Sequence, residues 1–264
     1  MESVFVTYDN GRDAQLVTLE VMTQGAGPLV VLIASLGRGV TDFADLAAKL
    51  AAAGYRAAST NPRGIGNSTG PAAQTMADFA MDVAQVVKTL SPAGRPAVLI
   101  GHAFGNRVAR ATATYHPDCV SSLILLACGG QVPIAPAAGK ALRDVFDDSL
   151  SEEDHIAAVR TAFFAPGNDP EVWRDGWYTA VAQAQQLALH ATPTESWVGG
   201  GTTPLFVIQA DCDAIAPLAN AEALQAAHPD RVSIATLPLA GHAMLPEQPE
   251  ALANIVLERL RAIG

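Results

Sequence analysis

Residues 97–106, Ala-Val-Leu-Ile-Gly-His-Ala-Phe-Gly-Asn, read as a strand, a tight turn and the start of a helix. Such a turn forces strained dihedrals at its apex. Gly101 and Gly105, two positions either side of Ala103, remove side chains that would collide with neighbouring backbone. The use of this turn is to present one side chain at a helix N-terminus, where amide donors can stabilise an anion. Here the presented residue is Ala103, which carries no nucleophilic atom. Groups able to move protons lie far downstream. Asp211 and Asp213 follow the apolar run 204–209, and His242, with Gly241 before it, sits between the run 232–236 and the terminal helix. Together they are suited to general acid–base chemistry beside a stabilised anion. His102 lies inside the turn and reads as structural or pocket-lining. His116, His155, His190 and His228 sit at helix ends or on helices without clustered ligands, so no metal site is expected.

The elements that must position these residues alternate between β-type apolar runs and helical patterns, the signature of a mostly parallel sheet covered on both faces. Strands are expected at 4–7 and 15–22, a hairpin turning at Asn10-Gly11, and then at 29–33, 55–59, 97–101, 122–127, 204–209 and 232–236. Helices are expected at 42–53 (stopped by Gly54), about 75–90, 104–115, 219–227 and 249–263. Between 129 and 202 the strand rhythm gives way to helical patterns at 140–150, 152–163 and 171–190, closing on Gly199-Gly-Gly201. The domain reading is therefore a core of residues 1–128 and 203–264 with a helical lid of residues 129–202 inserted into it.

Composition narrows the function classes. The chain has 264 residues, half of them hydrophobic, enough to bury one large core. A net charge of −10 argues against nucleic acid and anionic membranes as partners. No apolar run is long enough to cross a bilayer, and residues 1–10 lack the basic start and apolar stretch of a signal peptide. Cys119, Cys128 and Cys212 are an odd number without metal-like spacing, which fits a reducing compartment, so a cytoplasmic protein is expected. There is no P-loop or Gly-rich dinucleotide motif, and no cofactor is expected.

Gly101-His-Ala-Phe-Gly105 resembles the Gly-x-Ser-x-Gly nucleophile elbow of the α/β-hydrolases, with alanine where that family has serine. The resemblance covers nearly the whole chain except the inserted helices. It implies the α/β-hydrolase fold, a mostly parallel central sheet flanked by helices with an inserted helical lid. It also implies a triad in the order nucleophile, acid, histidine. The family's aspartate lies four residues before a proline, which selects Asp213 ahead of Pro217 over Asp211, a candidate turn cap; its Gly-His loop selects His242. The oxyanion donors implied are the N–H of Phe104 and that of Leu36, in the loop after strand 29–33, where Ala34-Ser35 replaces the His-Gly of most relatives. Asn61-Pro-Arg-Gly-Ile-Gly-Asn-Ser68 is similar to a family loop whose role is structural.

The implied activity is hydrolysis of an ester or lactone through an acyl-enzyme, interrupted at Ala103. Ala103 is read as an engineered Ser→Ala replacement in otherwise intact machinery; the alternative is a natural pseudoenzyme or ligand receptor on the same fold. Phe163, Phe164, Trp173, Trp177, Tyr178 and Trp197 concentrate in the lid of a chain that is only 6% aromatic. They suggest an apolar or ring-containing substrate, with Trp173, Trp177 and Trp197 as its binding residues. The protein is expected to act as a monomer or homodimer on a small molecule.

Overall fold

A computed structural model of the chain describes residues 2–11, 15–91 and 94–263. Its strands are β1 (Glu2–Asp9), β2 (Leu16–Gln24), β3 (Leu29–Ile33), β4 (Arg56–Thr60), β5 (Ala97–His102), β6 (Val120–Leu126), β7 (Leu205–Ala210) and β8 (Val232–Leu237). The helices are α1 (Ala44–Ala52), α2 (Met76–Leu90), α3 (Phe104–Tyr115), α4 (Pro136–Asp144), α5 (Glu152–Phe163), α6 (Thr179–His190), α7 (Ala219–Ala227), α8 (Met244–Glu247) and α9 (Pro249–Ile263). The strands form one sheet in the order β1-β2-β4-β3-β5-β6-β7-β8. β1 pairs antiparallel with β2, from Glu2↔Thr23 to Asp9↔Leu16, and β2 pairs antiparallel with β4. The expected turn begins at Asn10-Gly11 and continues through 12–14, outside the described residues.

From β4 to β8 the pairing is parallel. Such a sheet must be covered on both faces, because its crossovers place helices there. β3 shows why its sequence is an unbroken apolar run. Leu29, Val31 and Ile33 join the core beneath α2 and α3, while Val30 and Leu32 join the core beneath α1 and α9. All five are buried. α2 begins where Thr75 and Asp78 close a reciprocal cap, the Thr75 N–H donating to Asp78 Oδ2 at 2.9 Å.

α4, α5 and α6 lie in the connection between β6 and β7; α4 and α5 share a small core around Val159, Phe163 and Trp173 that also takes in Ile215 and Ala243, whereas Ala188 of α6 joins the main core. Two expected helices there are shorter than the sequence suggested. The run 140–150 is helical from Pro136 to Asp144, proline being well suited to a first helical position. The run 171–190 is broken: a 3-10 turn at Pro170–Trp173 precedes α6, which starts only at Thr179. Gly176 separates the two at φ +87°, against the guanidinium of Arg38. No helix among the described residues is long and apolar enough to cross a membrane.

The loop 61–68 is a hydrogen-bonded brace. Glu20 accepts from Asn61 Nδ2 at 2.9 Å and from the backbone and side chain of Asn67 at 3.0 and 2.7 Å. Arg63 makes a buried ion pair with Asp82 at 2.8 Å, joined by the Tyr8 hydroxyl.

Chain crossings fix which glycines can change. A Cβ on Gly105 would stand 2.0 Å from the Ile33 carbonyl oxygen, whereas one on Gly139 in α4 would meet nothing closer than 3.7 Å. Gly105→Ala is therefore expected to lose about 3 kcal/mol or more of stability, and Gly139→Ala to gain about 0.5–1 kcal/mol, in urea unfolding. Equal, small effects at both positions would contradict the packing described.

Candidate active site

The turn between β5 and α3 places Ala103 at φ 50°, ψ −107°, a conformation that costs a side-chain-bearing residue on the order of 1–3 kcal/mol. The surroundings leave no alternative. A Cβ on Gly101 would lie 2.3 Å from the Gly105 carbonyl oxygen, so the helix can fold tightly back on the strand only with glycine at both places. Ala103 N–H donates to the Leu126 carbonyl at 2.9 Å, and Asn106 Nδ2 donates to the Ala127 carbonyl at 3.1 Å. These bonds tie the turn to the end of β6. The Ala103 methyl group is held at the floor of a cavity that His242 also lines.

Asp213 follows β7 and is buried, while Asp211 is exposed at the surface. The Asp213 carboxylate accepts the N–H groups of Ile215 and Ala216 at 2.9 and 2.7 Å through Oδ1. His242 Nδ1 lies 3.0 and 2.9 Å from its two oxygens. An ionised carboxylate only accepts, so Nδ1 carries the proton and Nε2 is left with a lone pair. Among the described residues Nε2 has no protein partner, which leaves it free to take a proton from a group in the cavity.

The histidine loop is fastened to the inserted helices. Glu247 Oε2 accepts the Gly241 N–H at 2.7 Å, and its Oε1 accepts from Ala165 N–H and Asn168 Nδ2, each at 2.7 Å. Ala243 N–H donates to the Phe163 carbonyl at 2.8 Å. Gly241 is required by this docking, since a Cβ there would stand 2.6 Å from the Phe163 carbonyl oxygen. Burial pushes the Glu247 carboxyl above its usual range, against the pull of those three donors. Sequence reasoning missed Glu247, because two of its three partners, Ala165 N–H and Asn168 Nδ2, become its neighbours only in the fold.

His102 is fully buried beneath this loop, with Nε2 2.7 Å from the His242 carbonyl oxygen. A carbonyl only accepts, so Nε2 carries the proton; Nδ1 is buried without a partner among the described residues. His102 is thus a structural support for the catalytic candidate and lines no part of the cavity.

Leu36 and Phe104, the expected oxyanion donors, both line the cavity beside Ala103. Phe104 opens α3, where the first N–H groups have no intrahelical acceptor. The Leu36 N–H likewise has no acceptor among the described residues. Its neighbour Gly37 is gripped on both sides, donating to Gln185 Oε1 at 2.8 Å and accepting from Tyr178 N–H at 2.9 Å. Gly37 sits at φ +60°, and a Cβ there would be 2.9 Å from both Ala182 and Phe146. Arg38 is buried next in the loop, paired with Asp42 at 2.6 Å and set in the corner between the perpendicular rings of Trp173 and Trp177, 4.2 and 4.4 Å from their centroids.

The cavity measures about 570 Å³ and is mostly apolar. Its aromatic wall is Phe146, Phe163 and Trp177, with Phe163 stacked on Trp177 at 5.3 Å and Phe146 edge-on to it at 5.5 Å. Trp177 is therefore placed where a substrate-binding residue is needed. Trp173 and Trp197 are not. Trp173 is buried against Phe163, Phe164 and Arg38, and Trp197 packs over Arg110 in the main core, 5.1 Å from its guanidinium. Aromatic content alone could not separate a ring that faces a cavity from one that fills a core.

Comparison with known proteins gives the family and the fold. The chain belongs to the serine aminopeptidase S33 family, whose model it matches over residues 26–249. The fold is the α/β-hydrolase fold, and the chain is a hydrolase by family. An esterase from Thermogutta terrifontis superposes with a TM-score of 0.79 at 23% identity, covering 100% of this chain and 99% of that one. An esterase from Exiguobacterium antarcticum gives 0.81 at 18% identity, over 98% and 100%. Likenesses at these identities show the fold. A hydrolase of 2-(acetamidomethylene)succinate from Mesorhizobium japonicum is 30% identical over 115 residues, 43% of this chain and 40% of that protein. The chain spans about half or less of the curated relatives it matches.

Burial, and then the neighbouring His242 ring, push His102 down to about 3 from an ordinary value near 6.5. Between those values the unfolded chain binds a proton that the folded chain refuses. This contribution is complete above pH 6.5 and falls by about 1.4 kcal/mol per unit as the pH drops toward 3. Urea midpoints measured from pH 7.5 to 4 should fall steeply for this chain and less steeply for His102→Gln, which keeps a donor for the His242 carbonyl. Parallel curves would show that His102 is not the acid-sensitive group.

Proposed function

We propose that this site is built to hydrolyse an ester or lactone of an apolar or ring-containing small molecule through an acyl-enzyme, and that Ala103 interrupts the first step. The observation that carries the reading is the oriented Asp213–His242 pair sharing a cavity with a side-chain position held at φ 50°, ψ −107°. That strain serves a nucleophile and gives alanine no benefit.

With a hydroxyl at position 103, His242 Nε2 takes its proton as the oxygen attacks the carbonyl. Asp213 holds the ring in the required tautomer and stabilises the imidazolium. The N–H groups of Leu36 and Phe104 receive the charge that develops on the carbonyl oxygen. His242 then returns its proton to the leaving group, and a water activated by the same nitrogen releases the acyl group. The aromatic and aliphatic walls account for binding: Phe163, Trp177, Ile134, Leu142 and Leu189 offer a surface for a ring or chain. In the chain as it stands, these walls and both donors remain, so substrate is bound and not turned over.

Ala103 itself favours a second reading, a ligand-binding protein that never carried the serine. The codon at position 103 in the encoding gene separates the two. The functional test is Ala103→Ser assayed on aryl esters and lactones. An increase in kcat/KM on the order of 10⁴-fold or more is expected, because removing a triad member costs that much in such enzymes. A folded Ala103→Ser protein with no gain across a broad acyl panel would reject the hydrolase reading.

A further inference from the structure

The cavity holds a cation with no counter-ion. Arg107 lies one helical turn beyond Ala103 on α3 and lines the cavity. Its side chain lies over the backbone of Gly130, where an added Cβ would be 3.7 Å from Nη2. Among the described residues it has no hydrogen bond and no ion pair. No Asp or Glu among the described residues lines the cavity, in a chain with 26 acidic residues. Arg110, the neighbouring guanidinium, is occupied: it donates to Asn106 Oδ1 at 2.8 Å, to the Gly129 carbonyl at 3.2 Å and to the Val198 carbonyl at 3.3 Å.

An unpaired guanidinium in an apolar wall is costly unless something pairs with it. Burial, and then Arg110, already pull Arg107 down to about 10, which still leaves it charged at neutral pH. Arg107 is half-buried, and no acidic side chain among the described residues lines the cavity, so an anionic group on a bound molecule would be the first counter-charge to reach it there.

Building on the hydrolase reading, we propose that the substrate carries a free carboxylate, bound by the Arg107 guanidinium a few carbon atoms from the scissile carbonyl. Four residues of helix rise about 6 Å, and that rise separates the site of attack from the residue that bears the anchor. One planar guanidinium with its donors free matches a carboxylate through two parallel hydrogen bonds. A phosphate dianion would call for a second free cation, and Arg110 has its donors committed. The substrate class is thus the half-ester of a dicarboxylic acid, or a lactone bearing a carboxylate, with the apolar wall taking the remaining group.

The test uses the chain as it stands, which binds without turnover. Calorimetry compares phenyl hydrogen adipate with its methyl-capped diester, a matched pair that differs in one charge, with inorganic phosphate as competitor. The acid is expected to bind about tenfold or more tightly than the diester, since hydrogen bonds to a charged partner are the strong ones. Arg107→Met should reduce that ratio to about one, and Arg107→Lys should leave it in between. Equal affinity for acid and diester in the unaltered chain would overturn the proposal, as would an unchanged ratio in Arg107→Met or tighter displacement by phosphate than by adipate. If Arg107→Met fails to fold, the matched pair and Arg107→Lys decide the question. Turnover of neutral phenyl esters by Ala103→Ser with no acid preference would sink this inference and leave the hydrolase reading standing. An Arg107-dependent acid preference with an inert Ala103→Ser protein would do the reverse.

Discussion

The site depends on one close contact, the carbonyl of Ile33 at the end of β3 against the backbone of Gly105 in the first turn of α3. Gly105 has no Cβ, so helix and strand approach nearer than any other residue would allow. That approach, with the fold-back of Gly105 on Gly101, drives Ala103 into its left-handed conformation and points its side chain into the cavity. It also sets the donors. Leu36 follows Ile33 by three residues and Phe104 precedes Gly105 by one, so the contact that strains the apex brings both residues to the same cavity. The apex at 103 and the backbone of Leu36 and Phe104 beside it are therefore one piece of geometry.

The inserted helices form the second constraint, because they are gripped by the same loops that carry the chemistry. Phe163 and Ala165 at the end of α5 hold the histidine loop directly and through Glu247. Tyr178 and Gln185 hold Gly37, next to the oxyanion donor, and Trp173 with Trp177 enclose Arg38. The end of α5 is thus tied to the loop of His242, and α6 with the residue before it to the loop of Leu36.

Much of this was legible in the residues, and the reason is local. The elbow is written in glycine spacing, β3 in its unbroken apolar run, and the acid and base in short loops after strands, each a feature of a few adjacent positions. α3, α5, α7 and α9 fall where their periodicity places them. What was not legible depends on partners distant in sequence. Glu247 serves Ala165 and Asn168, about eighty residues away, and Arg107 is notable because no acid among the described residues pairs with it. The division of the tryptophans follows the same rule: Trp197 finds Arg110, Trp173 finds Arg38, and only Trp177 is left facing the cavity. The break before α6 is a tertiary effect too, since Gly176 bends where Arg38 comes through.

The hydrolase proposal stands or falls on position 103 as the attacking position of an acyl-transfer site and on His242 as its base. Intact-protein mass spectrometry after treatment with an alkyl fluorophosphonate tests that claim most directly, because such reagents phosphonylate a serine hydroxyl activated by a histidine and held beside an oxyanion site. The unaltered chain should remain unlabelled, Ala103→Ser should gain one adduct mapping to position 103, and a further His242→Ala change should abolish it. A folded Ala103→Ser protein that takes up no label, or labelling of Ser35 in the unaltered chain, would contradict it.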